Sequence, residues 1–218
     1  MASPYDLQEQ EQLAQIKHFW GRYGNAITWL LIVVLGAFAG WNGWQYWQQK
    51  NAVEAAALFD ELDRAARAND VDRVKRVWSD IQAQAASAPQ SHHAGLLAAQ
   101  ALHNAGALDE AKAALTAVVS GSKDEGVQAV ARLRIASIDL QAGRPADALS
   151  ALNAPVLAEF KGLFADRRGD VLLADGKTDE ARAAYREAWQ AMSTDMDYRR
   201  IVEAKLNALG VDPSKATP

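Results

Sequence analysis

Between Arg22 and Lys50 the chain carries no charged side chain, and Ala26 to Trp44 is a 19-residue run whose clearly polar members are Thr28 and Asn42. At about 1.5 Å of rise per residue, such a helix is about as long as the ~30 Å hydrocarbon core of a bilayer is thick. A second reading competes. Ala37, Phe38 and Ala39 have the small-x-small spacing that signal peptidase cleaves, whereas Gly36 and Gly40 form a G-x-x-x-G on a helix that would stay in the membrane. A signal peptide has a shorter apolar centre that ends at its cleavage site. Here Trp41, Trp44, Tyr46 and Trp47 follow the site, and Trp20, Tyr23 and Trp29 mark the other end, where amphipathic rings sit at a membrane–water interface. Residues 1–25 also contain Asp6, Glu9 and Glu11, unlike the basic start of a signal. The sequence therefore predicts a transmembrane anchor over 26–47 in contact with membrane lipid, a leader over 1–25 and a domain over 48–218.

Orientation is not set by charge. Lys17 and Arg22 precede the span and Lys50 and Arg64 follow it at comparable distances, so the positive-inside count is close to even. The dilution of Arg64 among Asp60, Glu61 and Asp63 tips it slightly toward a cytoplasmic leader. The leader reads as a helix with Leu13, Ile16 and Trp20 on one face. The formal charge of −4 divides into −1 before the span, +1 at Lys50 and −4 after it, from 20 basic and 24 acidic residues. No basic face suits nucleic acid. With no cysteine in the chain, a lipoprotein anchor, a thiol nucleophile and a cysteine zinc site are excluded.

After Asn51 the chain is rich in alanine and leucine and lacks strand alternation, which predicts helices throughout. Three stretches superimpose: "ALHNAGALDEAKAAL", "IDLQAGRPADALSAL" and "VLLADGKTDEARAAY". In each, a glycine precedes an alanine by five residues and a large side chain by nine: Gly106/Ala111/Leu115, Gly143/Ala148/Leu152 and Gly176/Ala181/Tyr185. Seven residues before each glycine is a small residue, Ala99, Ala136 or Gly169, and the period is 37 and then 33. Glycine supplies the left-handed turn between helices, the small residues permit close approach, and the large residue fills the space between repeats. A degenerate copy uses Asn69, Val74 and Trp78, flanked by helices over about 52–68 and 70–86. A final helix over about 198–209 caps the stack. The fold class is all-α: one N-terminal transmembrane helix followed by a short tetratricopeptide-repeat-like solenoid.

The histidines do not make a zinc site. His92, His93 and His103 share one hairpin without a third ligand at suitable spacing or an acidic second shell. Asp70 and Asp72 fall at the turn after Asn69, where they cap a helix. Asp166, Asp170 and Asp175 are spaced to pair with Arg167 and Arg168 at helical intervals. No phosphate loop or nucleophile motif is present. The residues point to no enzyme, no cofactor and no metal.

In stacked helix pairs the first helix of each repeat lines the concave face. Counting back 13, 10, 6 and 3 residues from each turn glycine gives His93, Leu96, Gln100 and His103, then Val130, Leu133, Ser137 and Leu140, then Leu163, Asp166, Asp170 and Leu173. This set has neither lysine nor asparagine, which disfavours a clamp for an acidic C-terminal carboxylate. It suits an amphipathic helix or an extended, partly apolar segment, with about half of its leucines expected to be buried between repeats. Gly36, Gly40 and Gly43 share a stripe of the span that a partner helix can approach closely.

The leader, the "KHFWGRYGNA" approach, a span ending in "GWNGWQYWQ", and then "RLRIASIDLQAGRPADALSAL" and "ADRRGDVLLADGKTDEARAAY" together resemble the YfgM-type ancillary subunits of the bacterial Sec translocon. The resemblance covers nearly the full chain and is weakest over about 60–90. It implies an inner-membrane protein with a cytoplasmic N-terminus and a periplasmic C-terminal domain. The partners it implies are Sec translocon subunits and the membrane-anchored periplasmic chaperone PpiD. The function expected is a tethered scaffold that helps pass newly translocated proteins to periplasmic chaperones. A regulatory scaffold that sequesters a signalling or envelope-assembly partner is the alternative, and a released holdase would require the cleavage argued against above.

Overall fold

The computed structural model describes the backbone of residues 4–86 and 88–213, with the side chains of 4–11, 14–16, 51 and 89 outside the description. It divides into two compact units, residues 1–51 and 52–218. The Ile16 position of the leader stripe lies outside the described residues.

The first unit is helical from Pro4, where α1 (Pro4–Arg67) begins. It contains the one helix among the described residues that is long and apolar enough to cross a membrane. Almost nothing of its apolar window is buried: Trp29, Leu30, Leu35, Phe38, Trp44 and Trp47 are all exposed. A core helix of a water-soluble domain would hide such a face. The two polar residues of the run return their donors to their own helix. The Thr28 hydroxyl donates to the Gly24 carbonyl at 2.8 Å, and the Asn42 amide to the Phe38 carbonyl at 3.0 Å. Polar groups satisfied inside the segment are what a hydrocarbon environment requires.

The second unit contains the last turns of α1, then α2 (Val71–Gln84), α3 (Pro89–Asn104), α4 (Leu108–Gly121), α5 (Glu125–Gln141), α6 (Pro145–Leu152), a 3-10 turn (Ala158–Phe160), α7 (Lys161–Ala174), α8 (Thr178–Ala191) and α9 (Arg199–Ala208). Among the described residues there is no strand. The expected turns all occur at left-handed residues: Asn69 has φ 54°, Gly106 79°, Gly143 69° and Gly176 78°. They also share one hydrogen-bond pattern. At Gly106, its N–H donates to the His103 carbonyl at 2.9 Å while the next N–H, from Ala107, reaches back to Leu102 at 2.9 Å. Asn69/Asp70, Gly143/Arg144 and Gly176/Lys177 repeat both bonds, as do Gly210 and Val211 beyond α9. This pair satisfies helix-terminal carbonyls only if the linking residue has positive φ, which explains glycine there and the asparagine substitute at position 69.

Packing follows the repeat. Ala111, Ala148 and Ala181 are fully buried, as are Leu115, Leu152 and Tyr185 one turn later. In the degenerate first copy Val74 and Leu62 occupy the corresponding interior, with Trp78 half-buried. In the last copy the large residue is Tyr185 and the small one opposite it is Gly169. A Cβ added to Gly169 would lie 2.5–2.9 Å from the Tyr185 ring, so the ring occupies the volume that a side chain at 169 would need. The same device recurs off the repeat pattern. A Cβ on Gly95 would meet Val118 at 2.4 Å and Trp78 at 2.9 Å, and one on Gly162 would meet Met192 at 2.6 Å. The buried side chains form three clusters: one from the end of α1 to α5, one across α5, α6 and α7, and one joining α7, α8 and α9.

A candidate partner-binding groove

The first helices of successive repeats, α3, α5 and α7, are neighbours, so the concave set predicted from the register comes together on consecutive helices. His93 and Gln100 are exposed, and His103, Val130 and Ser137 are partly exposed. The leucines differ from the expectation that half would be buried. Leu96, Leu133, Leu140 and Leu163 are half-buried at the edges of the clusters, and Leu173 is exposed. The four half-buried leucines each contribute one flank to a core and leave the other to the surface, whereas Leu173 joins none of the three clusters.

Between α3 and α5 is a cavity of about 230 Å³ in which Gln100, His103, Arg134 and Ser137 surround a floor that includes Leu115 and Ile138. Arg134 is held in place: its Nη1 donates to the Leu96 carbonyl of α3 at 2.9 Å. His103 donates from Nε2 to the Gln141 side-chain oxygen at 2.8 Å, so this ring too is oriented from the neighbouring helix. The Ser137 hydroxyl donates to the Leu133 carbonyl within α5 at 2.8 Å. Counting from the turn glycine passed over Arg134, which is one residue beyond Leu133 and about 100° round the helix. Its long side chain covers that angle. The signal available in the sequence was the "RLR" of α5 flanking a groove position.

The α7 end of the set is closed by α9. Asp166 is 1% exposed. The Tyr198 hydroxyl donates to its Oδ2 at 2.8 Å, and Lys205 Nζ donates to its two oxygens at 2.7 and 2.9 Å. Lys205 also reaches Asp170 at 2.6 Å, and Asp170 accepts the Tyr185 hydroxyl at 2.8 Å. Burial pushes the Tyr198 phenol up to about 12, with its bond to Asp166 adding to the shift. Burial, then the bond to Asp170, raises the Tyr185 phenol as well. Asp166 is therefore committed inside the protein, and the half-buried Asp170 is already paired with Lys205, Tyr185 and Arg167. Of the helical ion pairs expected here, Arg167 to Asp170 forms at 3.4 Å, while Arg168 crosses to Glu187 of α8 at 3.1 Å. Lys205, 39 residues from Asp166, left no local trace in the sequence pattern.

The three clustered histidines diverge. His103 lines the cavity, His93 is exposed, and His92 packs its ring against Gly121. Burial lowers the His92 pKa, and His93 lowers it further. Among the described residues no three His, Asp or Glu side chains gather as a metal site would require. In the other unit, a Cβ on Gly36, Gly40 or Gly43 would meet nothing within 4 Å.

The family described as tetratricopeptide repeat-like domain matches residues 17–211, both span and repeats. A Neisseria gonorrhoeae protein named ancillary SecYEG translocon subunit is 32% identical, over 93% of this chain and 98% of its own length. The chain belongs to the YfgM-type family. Relatives with the same name from Haemophilus influenzae and Escherichia coli K12 are each 26% identical; the alignments cover 94% and 93% of this chain and 99% and 97% of theirs. The family match begins at residue 17, near the end of the leader, and runs through the span and the stacked helices together, a combination that a generic repeat protein lacks.

Proposed function

We propose that this chain is a membrane-tethered interaction scaffold that accompanies the Sec translocon in a bacterial inner membrane and helps pass newly translocated proteins to periplasmic chaperones. The observation that carries this reading is the presence in one chain of an unburied 19-residue apolar run and a partly apolar face on the adjacent helices α3, α5 and α7. The names of relatives matched over almost their full length support the translocon as partner. The leader is cytoplasmic and the repeat unit periplasmic in this proposal, with PpiD as the neighbouring chaperone. Partner segments lie along His93, Leu96, Gln100 and His103 of α3 and Val130, Leu133, Ser137 and Leu140 of α5. They continue past Leu163 and Leu173 of α7, where α9 already holds Asp166 and Asp170. The Gly36, Gly40 and Gly43 stripe takes a partner span.

The scaffold acts by raising local concentration. A tethered groove converts encounter with an emerging chain into an effectively intramolecular event, so weak contacts suffice. Affinity purification of the full chain from mildly solubilised membranes tests the reading. Translocon subunits and PpiD recovered in near-stoichiometric amounts are the expected result. Recovery of a response regulator or an envelope-assembly factor in their place overturns it in favour of a sequestering role.

A further inference from the structure

We propose that the cavity between α3 and α5 is a carboxylate-binding subsite, which takes one acidic group of a partner segment lying in the groove. This deepens the reading of the groove as a partner surface and rests on it. Three observations converge. The cavity, about 230 Å³, is large enough for one side chain or chain end, and Arg134 lines it. The guanidinium is anchored through Nη1 on the Leu96 carbonyl, a neutral acceptor, and no acidic side chain among the described residues pairs with it. Several other half-buried cations of the repeats are matched to carboxylates: Lys112 and Arg144 to Asp139, Lys205 to Asp166 and Asp170, Arg168 to Glu187. Arg132 and Arg199 are held by neutral groups as Arg134 is, on Gln128 and on the Trp189 carbonyl and ring, but neither lines this cavity.

A guanidinium has a planar fork of N–H donors suited to a carboxylate, and bonding one nitrogen to a backbone oxygen fixes the direction of the rest. Gln100 and the oriented His103 ring add polar atoms on the α3 side of the same cavity. The net charge of the chain is −4, so a single uncompensated arginine in a concavity is a local departure from the surrounding field. The half-buried Leu96 and Leu133 beside it give the rest of the segment apolar surface. The shared chemistry is a carboxylate, supplied either by a Glu or Asp side chain or by a chain terminus. A clamp built on several cations is not required for one such group.

The test is a titration of the full chain in lipid nanodiscs, isotope-labelled at arginine and histidine, followed through the Arg134 side-chain N–H resonance and the His103 ring signals. The probes are N-acetyl-glutamate amide for a side-chain acid, N-acetyl-leucine for a terminal acid, and N-acetyl-glutamine amide as the neutral control. A saturable shift with one or both acids and none with the neutral probe is expected, and the responding acid identifies the source. Arg134→Gln should weaken the effective acid about tenfold or more, read on the His103 ring signals. No saturable shift with either acid, or an equal response to the glutamine amide, overturns the subsite. Translocon recovery is measured on the same wild-type preparation. Partners recovered without a carboxylate response remove the subsite and leave the scaffold reading standing; a carboxylate response without partners removes the scaffold reading alone.

Discussion

Gly169 and Gly36 are the same residue in opposite situations. At Gly169 the missing side chain is occupied by the Tyr185 ring, and a Cβ there would sit 2.5 Å from it; at Gly36 and Gly40 nothing lies within 4 Å. The repeat unit uses small residues to finish its own interior, whereas the span leaves them open. Small residues in an aqueous domain are driven to closure because any gap forfeits both burial and dispersion contacts. In lipid, leucine gains nothing by leaving the acyl chains, so an open glycine face costs little until another backbone approaches. A small-x-x-x-small pattern is thus internal architecture in one medium and an unfilled surface in the other.

The contrast is broken most directly at its closed end. Tyr185→Ala removes a fully buried ring from against a glycine that cannot fill the space, and should lower unfolding free energy by about 3–5 kcal/mol. Denaturant melting of the full chain measures it, and a loss below ~1 kcal/mol would mean that the ring is not the filler. Next comes the α9 clasp. Lys205→Met leaves Asp166, 1% exposed, without its cation and should cost about 3 kcal/mol. The double replacement Asp166→Leu with Lys205→Met should recover much of that loss, because the penalty lies in the stranded charge. A double mutant no better than the single one would show that Asp166 holds α9 through Tyr198 instead.

Ala148→Leu tests close approach without any polar group. Ala148 is fully buried in the cluster formed by α5, α6 and α7, so overpacking should cost about 1–3 kcal/mol. Unchanged thermal unfolding would put the repeat register in error. The smallest stability effect belongs to the open end of the contrast. Gly36→Leu with Gly40→Leu should leave repeat-unit melting unchanged and keep the chain in the membrane, while reducing recovery of the partner span on affinity purification. Full recovery from that variant would assign partner binding to the repeats and make the span a tether only.

Most of the architecture was legible because it rests on local chemistry. Gly106, Gly143 and Gly176 mark turns whose geometry excludes most other residues, and Asn69 could be placed by spacing even without a glycine, since asparagine tolerates the left-handed region. The small and large positions were legible for the same reason: a period repeated along one chain reports contacts between neighbours in sequence. The groove was legible only in part. Gln100, His103 and Ser137 of the cavity lining followed from helical register, but register assigns a direction to Cα–Cβ bonds and not to the end of a long side chain, so Arg134 was missed.

The sequence by itself thus determined an apolar segment long enough to span a bilayer, four helical pairs with their turn residues, and the small and large side chains that stack them. Each of these depends on composition, on spacings of fewer than ten residues within a repeat, or on the recurrence of those spacings at a period of 37 and then 33 residues. Only the tertiary structure decided that Asp166 belongs to Tyr198 and to Lys205 of α9, that Asp170 shares Lys205, and that Arg134 is held by Leu96 with no acidic partner among the described residues. The reason is physical. Burial of a charge is costly enough that its partner is chosen by proximity in the folded stack, across 32 to 39 residues of chain, and no local pattern records which cation will arrive.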